Sequence, residues 1–105
     1  MTSAASPANP PAGFEVVHNS TDSRFEARVE GRLCVASYDL VGDVMALTHT
    51  AVPPALEGRG IAAALVQAAL AHARSAGLQV RPLCSYVRAY MRRHPETLDL
   101  LEPGR

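Results

Sequence analysis

Along this chain the apolar positions recur at one spacing up to about residue 52 and at another after residue 60. Arg24-Phe-Glu-Ala-Arg-Val-Glu30 alternates polar and apolar with period two, the mark of a strand with one wet face. Phe14 to His18 alternates more loosely and runs into Asn19-Ser-Thr-Asp-Ser23, which predicts a first strand and a loop. Gly31 closes a hairpin, Leu33 to Val41 is apolar enough for a central strand, and Gly42-Asp43 turns the chain again. Val44 to Val52 then reads as a fourth strand buried on both faces, and Pro53-Pro54 stop it because proline donates no ladder hydrogen bond.

From Gly60 to Ala76 the period becomes helical. Ile61, Leu65, Ala69 and His72 form one stripe with Ala62, Val66, Leu70 and Ala73 beside it, while Gln67, Arg74 and Ser75 lie opposite. Gly77 supplies the usual left-handed cap. Leu78 to Leu83 is a fifth strand, and a strand–helix–strand crossover makes it parallel to the fourth. Ser85 to Arg93 and Pro95 to Leu101 read as two short helical pieces divided at His94-Pro95. Residues 1–13, rich in Ala, Ser, Pro and Asn, predict a disordered tail ahead of one α/β domain over 14–105. Its sheet is mixed, mostly antiparallel, with a parallel crossover around one long helix and short C-terminal helices.

The junction between the two rhythms carries the candidate chemistry. Gly58 and Gly60 let the backbone turn sharply where a strand gives way to a helix, and Ala62 and Ala63 leave their amides unobstructed. First-turn amides have no partner inside a helix, and the aligned peptide dipoles add roughly half a positive charge there. A pyrophosphate suits such an end; a plain tight turn before a helix explains the glycines equally simply. The dinucleotide fingerprint is excluded, because the third glycine and the later acidic residue are missing.

Composition narrows the picture further. At 105 residues, 48% of them apolar and 19% charged, the chain is a globular single domain, small enough that any substrate site must be open. It has no apolar run of membrane-spanning length and no signal or transit pattern, and its cysteines, Cys34 and Cys84, allow at most one bridge. A cytoplasmic protein without a membrane partner is expected. Net charge is zero, yet Arg59, Arg74, Arg81, Arg88, Arg92 and Arg93 fall in a stretch from Gly58 to Pro95 that holds no acid. A small polyanion at the glycine turn would meet a favourable field, unless these arginines are an ordinary solvated face. Nucleic acid is not expected, since only Tyr86 and Tyr90 interleave with the arginines. No metal is expected either, because His18, His49, His72 and His94 show no ligand spacing with one another or with the cysteines.

Taken in order, Arg24-Phe-Glu, the Gly31 hairpin, Thr48-His-Thr-Ala-Val-Pro53, Glu57-Gly-Arg-Gly-Ile-Ala62, Pro82-Leu-Cys-Ser-Tyr-Val87 and Arg93-His-Pro-Glu96 resemble the small, stand-alone branch of the GNAT superfamily of N-acetyltransferases. The likeness spans roughly Phe14 to Leu101. It implies a GNAT-type fold and acetyl-CoA as cosubstrate, with the pyrophosphate on the amides of Glu57, Gly58, Arg59, Gly60, Ile61, Ala62 and Ala63. The pantetheine arm would run beside Ala51 and Val52. The chain departs from the superfamily at Glu57, where Gln or Arg is usual, so only the Glu57 backbone is expected to serve. It departs again in having no long N-terminal helical region to grip an acceptor and no unambiguous late tyrosine acid.

Acetyl transfer to an amine needs a group that takes a proton from the ammonium and one that protonates the departing CoA thiolate. The resemblance carries these roles onto His49 and Cys84. The plain alternatives are a hydrogen-bonded histidine in a buried strand and a cysteine acting as a small hydrophobe. Arg81, Arg88 and the start of the following helix are candidates to lower the Cys84 pKa, whereas Cys34 belongs to the core. Tyr86 and Tyr90 are candidates to donate a proton or flank the CoA, against packing on the sheet. Arg93 and His94 are candidates for the adenine or 3′-phosphate, against a simple helix-terminating role. The resulting expectation is an acetyl-CoA-dependent N-acetyltransferase acting on an unidentified amine, in a small molecule or a protein. A non-catalytic acyl-CoA or CoA-binding module is the alternative, and an interaction protein with an empty cradle is a third.

Overall fold

The computed structural model describes residues 14–103; the expected N-terminal tail lies outside them. Five strands form one sheet in sequential order: β1 (Val17–Asn19), β2 (Arg24–Val29), β3 (Arg32–Val41), β4 (Val44–Ala51) and β5 (Gln79–Pro82). The first four are antiparallel, and β5 runs parallel to β4 after the crossover through α1 (Ile61–Ala76). A second helix, α2 (Ser85–Arg93), and a 3-10 segment (Pro95–Leu100) complete the chain. The α/β architecture and the parallel crossover are those the hydrophobic rhythm predicts. No helix is long and apolar enough to cross a membrane among the described residues.

Register explains the core. Phe25 pairs with Ala36, Ala27 with Cys34, Tyr38 with Leu47 and Met45 with Val80, so these residues share one face. All of them are buried beneath α1, which contributes Ile61, Leu65, Val66, Ala69, Leu70 and Ala73. Burying each branched aliphatic side chain contributes about 1.5–3 kcal/mol, enough to hold a helix of this length to the sheet. Ala64 joins the buried stripe, while His72 is only half-buried. The His72 ring meets His18 edge-on at 4.4 Å. His18 in turn stacks on Phe25 and lies 2.7 Å from the Tyr38 hydroxyl. Burial first, and then the neighbouring His72, hold His18 below the ordinary imidazole pKa.

Two sequence expectations change. The first strand is Val17–Asn19 rather than Phe14 to His18, because its pairing with β2 begins only at Val17 opposite Glu26; Phe14 and Val16 pack against the core without joining the ladder. The fourth strand is buried on both faces only from Val44 to Leu47, and Thr48 and His49 are exposed. The cause is a bulge. Tyr38 pairs with Leu47 but Ser37 pairs with His49, so Thr48 is an extra residue that bends β4 away from its neighbour.

The arginine-rich stretch is also less positive than its sequence suggests. Arg59 pairs with Glu30 at 2.7 Å, Arg74 with Asp99 at 2.9 Å and Arg81 with Glu102 at 2.7 Å, so carboxylates from the rest of the chain neutralise half of it. The latter two pairs tie the C-terminal segment to α1 and β5.

Candidate active site

The cleft begins where β4 and β5 part. Their ladder ends at Leu47 opposite Pro82, and the Leu47 carbonyl then accepts the amides of both Leu83 and Cys84 at 3.0 Å. Beyond that point β4 stays with β3 while the other strand turns into α2. The opening, about 710 Å³, is walled by Thr50, Ala51 and Val52 on one side and by Tyr86 on the other. Its far end is closed by Glu57, Gly58 and Gly60 of the loop and by Ile61, Ala62 and Ala63 of the first turn of α1. Buried Leu56, in a 3-10 turn over Pro54–Leu56, pins that loop.

This end of α1 is open to an anion. Gly60 occupies the cap position with φ 79°, no side chain caps the helix, and no acidic residue stands in the first turn. The first amide bonded back along the chain is that of Ala64, to the Gly60 carbonyl at 3.1 Å. Ile61, Ala62 and Ala63 therefore keep donors that the helix does not use. Glu57 does not belong to the set: its N–H is already given to the Pro54 carbonyl at 3.3 Å, so the cradle runs from Gly58 to Ala63. The Arg59 side chain leaves the cleft for Glu30 at the β2–β3 hairpin, which limits Arg59 to a backbone role.

Cys84, the half-buried N-cap of α2, does not itself line the opening but adjoins it through Thr50, whose Oγ1 lies 3.8 Å from the Cys84 Sγ. Burial, the largest single influence, pushes its thiol up. The Val87 amide, the Thr50 hydroxyl and the amides of Tyr86 and Thr50 together outweigh burial and bring the pKa below the usual thiol value. The helix start acts here and the arginines do not, since Arg81 is bound to Glu102 and Arg88 donates to the carbonyls of Pro82 and Leu83. Cys34, fully buried, is pushed up by desolvation alone.

A sequence model of the GCN5-related N-acetyl-transferase family matches residues 24–100. The chain belongs to this family. Protein NATD1 of Bos taurus is 35% identical over 107 residues, covering 95% of each chain. Protein NATD1 of Mus musculus is 34% identical, over 91% of this chain and 97% of its own. The solution structure of a GCN5-like protein from Staphylococcus aureus superposes with a TM-score of 0.68 at 22% identity. It covers 90% of this chain and 96% of that one, so the fold is shared.

Within this GCN5-related N-acetyltransferase chain the other sequence candidates separate. His49 is exposed and its side chain makes no hydrogen bond among the described residues; pairing with Ser37 puts it on the open face of the sheet. Thr50, paired with Ala36, shares the α1 face. Imidazole and thiol thus flank β4 from opposite sides. Tyr86 lines the cleft, but Tyr90 is buried, stacks on His94 at 4.0 Å and is not among the cleft-lining residues. Nδ1 of His94 lies 2.8 Å from the Tyr90 carbonyl, a helix-ending role, and exposed Arg93 does not line the cleft either. Thr50 is the cleft-lining neighbour of Cys84 that sequence reasoning missed, because its approach to the thiol depends on the bulge. Among the described residues no three His, Cys, Asp or Glu side chains group as metal ligands.

The thiol environment makes a direct prediction. Alkylation of Cys84 by iodoacetamide should reach half its maximal rate at a pH below that of an ordinary thiol, and Thr50→Val should move the midpoint up. Quenched-flow labelling with peptide mapping reads both, and Cys34 should stay unmodified in the native protein.

Proposed function

We propose that this chain binds acetyl-CoA in the cleft between the end of β4, the first turn of α1 and Tyr86 of α2, and transfers the acetyl group to an amine that arrives from the opposite face of the sheet. The observation that supports it most is one opening lined both by the unpartnered amides at Gly58 to Ala63 and by Thr50, whose hydroxyl lies 3.8 Å from the lowered-pKa thiol of Cys84. The amides and left-handed glycines suit a pyrophosphate, and the Ala51–Val52 edge offers polar backbone beside a slender arm. Thr50 and the start of α2 stabilise negative charge on sulfur at Cys84. His49, exposed on the open face, would take a proton from an incoming ammonium. Two free thiols fit a protein that works in the reducing cytoplasm.

A ligand that binds only the folded state must stabilise it. CoA at a hundred times its dissociation constant should add about 2.7 kcal/mol, a rise in Tm on the order of 10 °C for a domain this small. Turnover is then read as free CoA thiol released against a panel of amines. Stabilisation with no turnover on any amine would leave a CoA-binding module, and no stabilisation would remove the cleft as a CoA site.

A further inference from the structure

We propose that a second groove, between the outer edge of β5, α2 and the Pro95–Leu100 segment, docks an acidic peptide segment of a partner protein through apolar anchors. The proposal stands apart from the acetyl-CoA reading, since this groove shares no residue with that cleft. It measures about 320 Å³, within the lower range of ligand sites, with buried Met91 as its floor. Leu83 and Leu98 come from different elements to line it and are 54% and 40% exposed. The other large exposed apolar side chains among the described residues are Val17, Leu40 and Val41, none of which lines it. Two exposed leucines on one concavity supply the apolar anchors that the proposed docking requires.

The rim supplies the sign of the partner. Arg88 and Arg92 are four apart on one face of α2, and neither has a carboxylate partner among the described residues. One Arg88 nitrogen bonds the carbonyls of Pro82 and Leu83, which fixes the guanidinium along the wall with its other donors free. Arg81, also lining the groove, is already neutralised by Glu102. An apolar floor beneath two uncompensated guanidiniums is complementary to a segment carrying large apolar residues flanked by carboxylates.

Other occupants fit less well. A second copy docking face to face would gather four uncompensated guanidiniums, Arg88 and Arg92 from each chain, into one interface. Two arginines contribute only about 1 kcal/mol each toward an anionic membrane, and a narrow concavity does not match a flat lipid surface. Extension of the sheet is blocked as well. Val80 already bridges Leu101 and accepts the Glu102 amide, Pro82 has no N–H, and Arg88 occupies the next carbonyls. Side chains, not strand pairing, must hold the segment.

The test uses the full chain against two displayed pools of short peptides, one drawn from Leu, Ile, Phe, Asp and Glu, the other with Lys and Arg replacing the acids. Enrichment from the acidic pool is expected. A synthetic peptide of the enriched sequence should lose about tenfold in affinity with Leu98→Asp and again with Arg92→Glu, and should weaken as salt rises. Both positions are exposed, so melting curves should show these variants folded. Equal enrichment from both pools, or affinity indifferent to both variants, overturns the proposal. Arg92-dependent co-sedimentation with phosphatidylserine vesicles in place of peptide binding would assign the groove to lipid. A dimer in sedimentation velocity that Leu98→Asp dissociates would assign it to a second copy. Either result also overturns it.

Discussion

Gly60→Val should abolish CoA binding in a protein that still folds. Gly60 sits at φ 79° and ψ 12°, a left-handed conformation that a β-branched residue adopts at a cost on the order of 1–3 kcal/mol. A domain with typical stability of about 5–15 kcal/mol survives that loss. The cradle does not, because the easiest relief is a rotation of the peptides around position 60, and these aim the amides of Ile61 to Ala63. The isopropyl group would also stand on the cleft wall, to which Gly60 now contributes no side chain. Gly60→Ala should bind more weakly than the parent and more tightly than the valine variant. Calorimetry with CoA reads all three, and a folded valine variant that binds CoA like the parent would put the cradle elsewhere.

Much of this was legible in the residues because the fold is built from local signals that agree. The alternation of Arg24 to Val29, the helical stripe from Ile61 to Ala73 and the cap at Gly77 each specify an element by themselves, and the parallel sense of β5 follows from the crossover. The glycine junction also appeared where strand becomes helix. What stayed hidden depends on register. A single extra residue at Thr48 exchanges the faces of everything after it, so His49, which the resemblance pairs in role with Cys84, stands across the sheet from it while Thr50 takes the place near sulfur. No periodicity reports a bulge. Ion pairs were equally invisible: Arg59 and Glu30 are 29 residues apart, and only the folded chain shows that they cancel. Tyr86 and Tyr90, four apart, share one face of α2, and the choice between them turned on position along the helix: Tyr86 in the first turn reaches the cleft, while Tyr90 a turn later is buried against His94, a difference that pattern alone left open.

Incubation with acetyl-CoA should place one acetyl group on Cys84. The thiolate would attack the thioester carbonyl carbon, a new carbon–sulfur bond forming as the bond to CoA breaks and CoA leaves as its own thiolate; a thioester replaces a thioester, so the step needs no further reactant. Cys84 is suited to it by the amides of Tyr86 and Val87 and the Thr50 hydroxyl, which favour the charged sulfur. The background is low, because the chain contains no lysine and Cys34 is fully buried with its thiol pushed up. The adduct should be labile to hydroxylamine, lost in Cys84→Ala and kept in Cys34→Ala. Thr50→Val should slow its formation. His49→Gln should leave the labelling rate unchanged, since the imidazole lies on the other face of β4, yet it should lower turnover onto an amine by the 10²–10⁴-fold, about, that a general base contributes. Peptide mapping by mass spectrometry separates the routes. An unlabelled Cys84 in a protein that still consumes acetyl-CoA would mean direct attack by the amine, and full turnover in Cys84→Ala would remove the thiol from the chemistry altogether.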